Sequence, residues 1–253
     1  MQSTKKKYKA LMLDLDGTTI PNSSDGLPSK RVIEAVMKAH KKVAVCVATG
    51  RPLYKVNEIL DLLAITNPII LLGGSQIIDG KSRKFVYERP LLEQDIRSVI
   101  EILEIYNGLK IYLDELNSQV KYSPSYLLQK TFNVLVVNVS EKMADEIADK
   151  LSHIPTIVTH KIISWTKGYY CLDISHATAT KQHGILEVAK QLGIETHEII
   201  GVGDGHNDFP LLMACGLKVA MGNAVPDLKA IADYIAPTVD EDGVADVIEK
   251  FIL

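Results

Sequence analysis

Three apolar runs near the N-terminus constrain this chain more than any other feature. They occupy residues 8–13, 43–48 and 69–72, and each ends in a polar or glycine turn: Asp16-Gly17, Thr49-Gly50 and Gly73-Gly74. Residues 43–48 and 69–72 are unbroken and rich in β-branched side chains, the pattern of strands buried on both faces rather than one. Helical segments lie between them. Ser29 precedes Val32, Ile33, Val36 and Met37, which share one helical face, and Pro52 suits the first turn of a helix running to about residue 63. Consecutive strand–helix units with all-apolar strands predict a parallel sheet with helices on both faces.

Past Gly74 the strands become shorter and partly alternating. Gln76-Ile77-Ile78 and Phe85-Val86-Tyr87 flank Asp79-Gly80-Lys81 as a hairpin, and a second domain is expected to start here. Helices are predicted over 93–106 and 141–151. Strands are predicted at 110–113, 119–122, 133–139, 157–158, 162–165 and 169–174, with a turn from Asp114 to Asn117. This is an α+β insert with a largely antiparallel sheet. The doubly wound pattern resumes with a helix at 181–192 and a strand at 198–202. Helices at 209–215, 225–232 and 243–252 and strands at 217–221 and near Ile235 complete the chain. The fold class is therefore α/β: a three-layer, Rossmann-like core (1–80 and 176–253) interrupted by an inserted α+β domain (81–175).

With 253 residues the chain can bury a sizeable core. Its 28 basic and 31 acidic residues give a net charge of −3, which argues against a nucleic-acid surface. The run Lys5-Lys6-Lys7 reads as a solvated terminus. No apolar run approaches a membrane span, and a soluble, cytoplasmic protein is expected. Cys46, Cys171 and Cys215 stand in apolar segments without metal-ligand spacing and read as free thiols. Oligomeric state is not legible.

Polar groups cluster where core strands or helices begin or end: Asp14 and Asp16, Thr49, Lys181, and Asp204 and Asp208. In open α/β sheets this is where ligands bind. Asp14 and Asp16 alternate and can point the same way unless a kink separates them; on position alone, a turn or helix cap explains them equally well. The clusters together decide the matter. Several carboxylates form a hard-ligand site suited to Mg²⁺, while a threonine hydroxyl and a lysine ammonium suit an anion beside it. That set describes phosphoryl transfer, in which a carboxylate can be the nucleophile.

The chain resembles the haloacid dehalogenase superfamily of phosphatases, in the Cof-like subgroup with a large C2-type cap. The resemblance rests on Asp14-Leu15-Asp16-Gly17-Thr18, on Thr49 in Ala48-Thr49-Gly50-Arg51-Pro52, on Lys181, and on Gly203-Asp204-Gly205-His206-Asn207-Asp208, in that order. It implies a Mg²⁺-dependent enzyme that hydrolyses small phosphorylated metabolites, such as sugar phosphates, through an aspartyl-phosphate. Asp14 would be the nucleophile and Asp16 the proton carrier, with Thr49 and Lys181 on the phosphoryl oxygens. Gly50, Arg51 and Asn207 would complete the phosphate region. Asp14, the carbonyl of Asp16, Asp204 and Asp208 would hold the metal.

Where the family often has Asn-Gly-Ala after the third strand, this chain has Gly73-Gly74-Ser75, so a side-chain amide near the substrate entrance is missing. A salt bridge explains Arg51 as well as substrate contact does, and His206 reads as a loop surface residue. Core packing is the preferred reading of Trp165, Tyr112, Tyr122, Tyr169 and Tyr170. Gly201-Val202-Gly203 looks dinucleotide-like, but its third glycine is misplaced. A sugar phosphomutase of the same architecture is the alternative function. A non-catalytic binding module is disfavoured, because decayed scaffolds usually lose the nucleophile or a metal ligand and this chain keeps both.

Overall fold

The computed structural model describes residues 8–253 except Ser24, Asn117 and Leu127. The Lys5–Lys7 run and the last position of the predicted 114–117 turn lie outside the described residues. In chain order the larger unit opens with β1 (Ala10–Leu13), α1 (Lys30–Ala39), β2 (Ala44–Ala48), α2 (Asn57–Leu62), β3 (Ile69–Leu71), β4 (Gln76–Ile78) and β5 (Phe85–Glu88). The insert follows with α3 (Glu93–Glu104), β6 (Lys110–Asp114), β7 (Gln119–Lys121), β8 (Asn133–Val139), α4 (Glu141–Leu151), β9 (Ile157–Ile163) and β10 (Tyr170–His176). The chain then returns through α5 (Lys181–Leu192), β11 (Ile199–Gly203), α6 (Phe209–Ala214), β12 (Leu217–Ala220), α7 (Pro226–Ile231), β13 (Tyr234–Ile235) and α8 (Gly243–Phe251).

The first sheet runs β13-β12-β11-β1-β2-β3-β4-β5, parallel from β13 to β3 and antiparallel from β3 to β5. Its central strand is wholly buried, as four consecutive apolar residues require. Winding proceeds from β1 toward β3 on one side and from β11 toward β13 on the other. Right-handed crossovers then put α1 and α6 on opposite faces. Indeed α1 packs with α8 and α5 with α6, giving the predicted three layers. The reversal lies between β1 and β11, the switch point beside which ligands bind in such sheets.

The second sheet, β7-β6-β8-β10-β9, is antiparallel throughout. Period-two alternation divides its faces. Ile111, Leu113, Val134, Val136, Leu172 and Ile174 join a core with Val99, Leu103, Ile147 and Leu151 of α3 and α4. Their neighbours Tyr112, Asp114, Leu135, Val137, Cys171 and Asp173 line a cavity against the larger unit.

Three local readings are corrected. The hairpin placed in the second domain extends the first sheet instead, so the chain leaves that sheet after Glu88 rather than at residue 80. The strands predicted at 157–158 and 162–165 are one strand, β9, whose polar Thr159-His160-Lys161 is tolerated because it is an edge paired only with β10. The helix predicted from Pro52 is broken: a 3₁₀ turn, Leu53–Lys55, gives way to α2 at Val56, whose φ of −121° is not helical. Cys46, Cys171 and Cys215 are free, the first and last of them buried. Among the described residues no helix is long and apolar enough to cross a membrane.

Candidate active site

Adjacent strands bring the singled-out residues together. β1 pairs with β11 through Leu13 and Val202 and with β2 through Leu13 and Val47, so the residues just beyond these three strands share one crevice. The Asp14 N–H donates to the Val202 carbonyl (3.0 Å), and the Thr49 N–H donates to that of Ile70 (2.9 Å). Strand alternation does not continue past Asp14. The N–H groups of Thr18, Thr19 and Ile20 all turn back to the Leu15 carbonyl, and this kink separates the two aspartates.

Asp14 faces inward. Its Oδ1 accepts from Lys181 Nζ at 2.5 Å, and the same ammonium donates to Asp208 Oδ1 at 2.6 Å. Lys181 is 2% exposed and Asp208 is fully buried. Lys181 is placed as the first residue of α5 by the cap of Thr180, whose hydroxyl accepts from the His183 N–H. Burial alone would lower the Lys181 pKa, but Asp14 and Asp208 overcome it and hold the ammonium charged. Burial, reinforced by Asp208 and only partly offset by Lys181, drives the Asp14 carboxyl well above the usual range. Burial and Asp208 likewise push Asp204 up to about 7, against the bond it accepts from Thr18 Oγ1 at 2.8 Å.

Carboxylate oxygens of Asp14, Asp204 and Asp208 lie within 4.8 Å of one another. Fully ionised, three carboxylates against one ammonium carry a net charge of −2, which fits a hard divalent cation held by oxygen ligands. Asp16 is outside this group. Both its oxygens accept from Arg51, with Nε at 2.8 Å, and Arg51 also donates to the Ser23 carbonyl. Of the two readings of Arg51, the salt bridge is the one realised here. An Asp16 contribution to the metal rests on its backbone carbonyl alone.

Gly50, Arg51 and Asn207 line the cavity, whereas Thr49 and Lys181 sit behind its wall. The Thr49 hydroxyl accepts from the Arg51 N–H (3.1 Å), which leaves its own proton to donate. Asn207 makes no bond to Lys181 among the described residues. His206 is exposed and stacked on Phe209, as expected of a surface residue. Trp165 is not core: it is 54% exposed at the cavity, with the Arg51 guanidinium 5.8 Å from its ring centre. Tyr112 also lines the cavity and Tyr169 is exposed, while Tyr122 and Tyr170 pack on the insert's core.

Several contributors escape sequence reasoning. Asn223 donates to the Gly17 carbonyl (2.8 Å) and accepts from the Val239 N–H (2.9 Å), so it ties the loop after β1 to the loop after β12. Its position at a core strand's end is the same signal that marks Thr49. Gly17 has φ +75°, and a Cβ there would lie 2.3 Å from Asp204 Oδ2. The middle glycine of Gly73-Gly74-Ser75, where this chain keeps the family's residue, has a structural cause: a Cβ on Gly74, whose φ is +122°, would fall 2.3 Å from the Thr180 carbonyl oxygen. Gly74→Ala is therefore expected to cost about 2 kcal/mol or more in urea unfolding. Turnover should fall with it, because Thr180 positions Lys181. An alanine variant as stable as the parent would refute this packing.

The cavity has a volume of about 680 Å³ and is walled by both sheets' units, with Asp14, Asp16 and Asp204 at one end. A sequence profile of the haloacid dehalogenase-like hydrolases matches residues 11–126 and 113–248. The chain is 24% identical over 262 residues to the Bacillus subtilis 5-amino-6-(5-phospho-D-ribitylamino)uracil phosphatase YitU, covering 95% of this chain and 96% of that one. It is 28% identical over 286 residues to the phosphatase YwpJ of the same organism, covering 96% and 100%. Among solved structures, a HAD subclass IIB sugar phosphatase superposes with a TM-score of 0.81 at 25% identity, covering 96% of this chain and 98% of that one.

Proposed function

The chain belongs to the haloacid dehalogenase-like hydrolases as a phosphomonoester hydrolase of the Cof-like type, and we propose that it is a Mg²⁺-dependent phosphatase of small phosphorylated metabolites. Sugar phosphates and similar phosphomonoesters are the substrates we favour, in keeping with the sugar phosphatase whose structure it resembles. The observation that carries the reading is Asp14, a carboxylate at the cavity's end with an ammonium at 2.5 Å and two further carboxylates beside it.

In this mechanism Asp14 attacks phosphorus, and the bond from phosphorus to the leaving oxygen breaks. Asp16 delivers a proton to that oxygen, then takes one from the water that cleaves the aspartyl-phosphate and frees phosphate. Because both Asp16 oxygens are engaged by Arg51, this transfer requires that pair to open. Arg51, at the cavity wall, is then free to meet the phosphoryl group. Lys181 offsets the repulsion between Asp14 and an incoming dianion, and Thr49 supplies a hydroxyl donor behind it. Asp14, Asp204, Asp208 and the Asp16 carbonyl would hold Mg²⁺, which supplies positive charge beside the nucleophile. The five-stranded sheet with α3 and α4 would serve as the cap that excludes water. The free cysteines accord with a cytoplasmic setting.

The test is phosphate release from p-nitrophenyl phosphate and a sugar phosphate panel. EDTA is expected to remove at least about 95% of the rate, and added Mg²⁺ to restore it. A full rate in EDTA would refute the metal, and isomerisation without phosphate release would favour the mutase.

A further inference from the structure

The cavity's far wall, the face of the second sheet turned toward Asp14, mixes apolar side chains such as Leu135, Val137 and Ile163 with polar ones, Gln119, Asn138 and Lys161 among them. Two carboxylates stand on it. Asp114 is 4% exposed and its Oδ1 accepts from Gln119 Nε2 at 2.9 Å; Asp173 is 8% exposed and its Oδ1 accepts from Asn133 Nδ2 at 2.6 Å. The Asn133 amide is itself oriented by the Ser75 hydroxyl, which donates to its Oδ1 at 2.8 Å. A relay from the loop after β3 thus aims Asp173. The remaining Asp173 oxygen, Oδ2, has no donor among the described residues. It looks toward Gly73, 3.9 Å from where a Cβ would stand on that residue, in the place where the sequence lacks a side-chain amide.

Surrounding charges leave this end of the cavity negative. Lys55 bears on Asp114 from the exposed rim, with its ammonium 5.9 Å from the Tyr54 ring centre and 6.0 Å from that of Trp165. Lys161 spends its ammonium on Asp145 and Arg51 spends its guanidinium on Asp16. His160, the cross-strand partner of Asp173, is kept neutral by burial and by Lys181. With both ionised, the two carboxylates exceed Lys55 by one negative charge, and a bound ammonium favours that ionised form. Burial and the nearby Asp114 push Asp173 up to about 7, and burial pushes Asp114 up to about 6, the direction expected of carboxylates short of a counter-charge.

We propose that Asp114 and Asp173 form a cation-accepting subsite, so that the preferred substrates are phosphomonoesters whose leaving group carries a primary ammonium. This rests on the phosphatase reading above and narrows it. An ammonium supplies donors to the unpaired oxygen and balances the charge of two buried carboxylates, where Coulomb attraction is stronger than in open water. A hydroxyl supplies only the donor, and a second acidic group is repelled.

The experiment compares glucosamine 6-phosphate, glucose 6-phosphate and 6-phosphogluconate at neutral pH with Mg²⁺. The parent protein is expected to favour the amine over the hydroxyl by at least about tenfold in kcat/KM, with the acid poorest. Asp173→Asn and Asp114→Asn should each bring the amine-to-hydroxyl ratio to within about threefold. That ratio is internal to each preparation, so partial misfolding cancels. Equal use of amine and hydroxyl by the parent, or a preference surviving both substitutions, would overturn the subsite. If p-nitrophenyl phosphate is hydrolysed while the amine is ignored, only this inference fails; if nothing is hydrolysed, the phosphatase reading fails and the subsite with it.

Discussion

Asp14→Asn is expected to stop turnover, lowering kcat by roughly 10⁴-fold, while the folded protein becomes no less stable. An amide oxygen can still accept from Lys181, so the bond now spanning 2.5 Å keeps an acceptor. The amide cannot attack phosphorus to give an acyl phosphate. It also removes one of three crowded carboxylates, and the upward pKa shift of Asp14 shows that its ionised form is disfavoured by burial and by Asp208. Metal-free protein should therefore melt at the parent temperature or above, the familiar opposition between stability and activity. Phosphate-release assays and thermal melts on the same sample check both halves. Turnover near the parent level would sink the nucleophile assignment, and a large drop in melting temperature would show that Asp14 is structural.

Lys181→Met should have the opposite stability signature. The ammonium is buried and donates at 2.5 and 2.6 Å to two carboxylates that are themselves buried. Methionine matches the stem and removes the charge, which leaves Asp14, Asp204 and Asp208 with no cation among them. Breaking a buried pair in this way costs about 3–5 kcal/mol. In metal-free urea unfolding the midpoint should fall accordingly with little change in slope. Added Mg²⁺ should recover part of the loss if the three carboxylates bind it. Activity should fall by about 10²–10³-fold even with Mg²⁺ present. A metal-free variant as stable as the parent would mean that these carboxylates are protonated rather than paired with Lys181.

The contrast between these substitutions shows what the sequence makes legible. Continuous apolar runs such as residues 43–48 announce buried strands, and polar residues at their ends announce a crevice, so Asp14, Lys181, Asp204 and Asp208 are found together as the pattern implies. Partner choice is harder to read. That Arg51 engages Asp16 depends on a kink made by Leu15 accepting three N–H groups, which no periodicity reports. The hairpin's membership in the first sheet depends on β4 turning back across residues 72–75 to pair with β3, a choice between two neighbouring units that alternation alone leaves open. Asp173 falls inside a predicted strand, but Asp114 is read as the start of a turn and is instead the last residue of β6; that the two share a face depends on how β6, β8 and β10 pair, which alternation within each strand does not report. Trp165 departs from the core-packing expectation because an aromatic at a strand end packs equally well inward or over an arginine.

The position of β1 also governs when the protein can become itself during synthesis. Ala10 pairs on one side with Ala44, which leaves the ribosome soon after it, but on the other with Ile199, which emerges only when most of the chain has been made. Until then the strand carrying the nucleophile has a bare hydrogen-bonding edge, apolar on both faces, exposed to other nascent chains. Closing that edge is a late, entropically costly step, since it joins segments separated by the whole insert. The same step brings Asp204 and Asp208 to Asp14, so a chain that has not finished folding has no assembled centre.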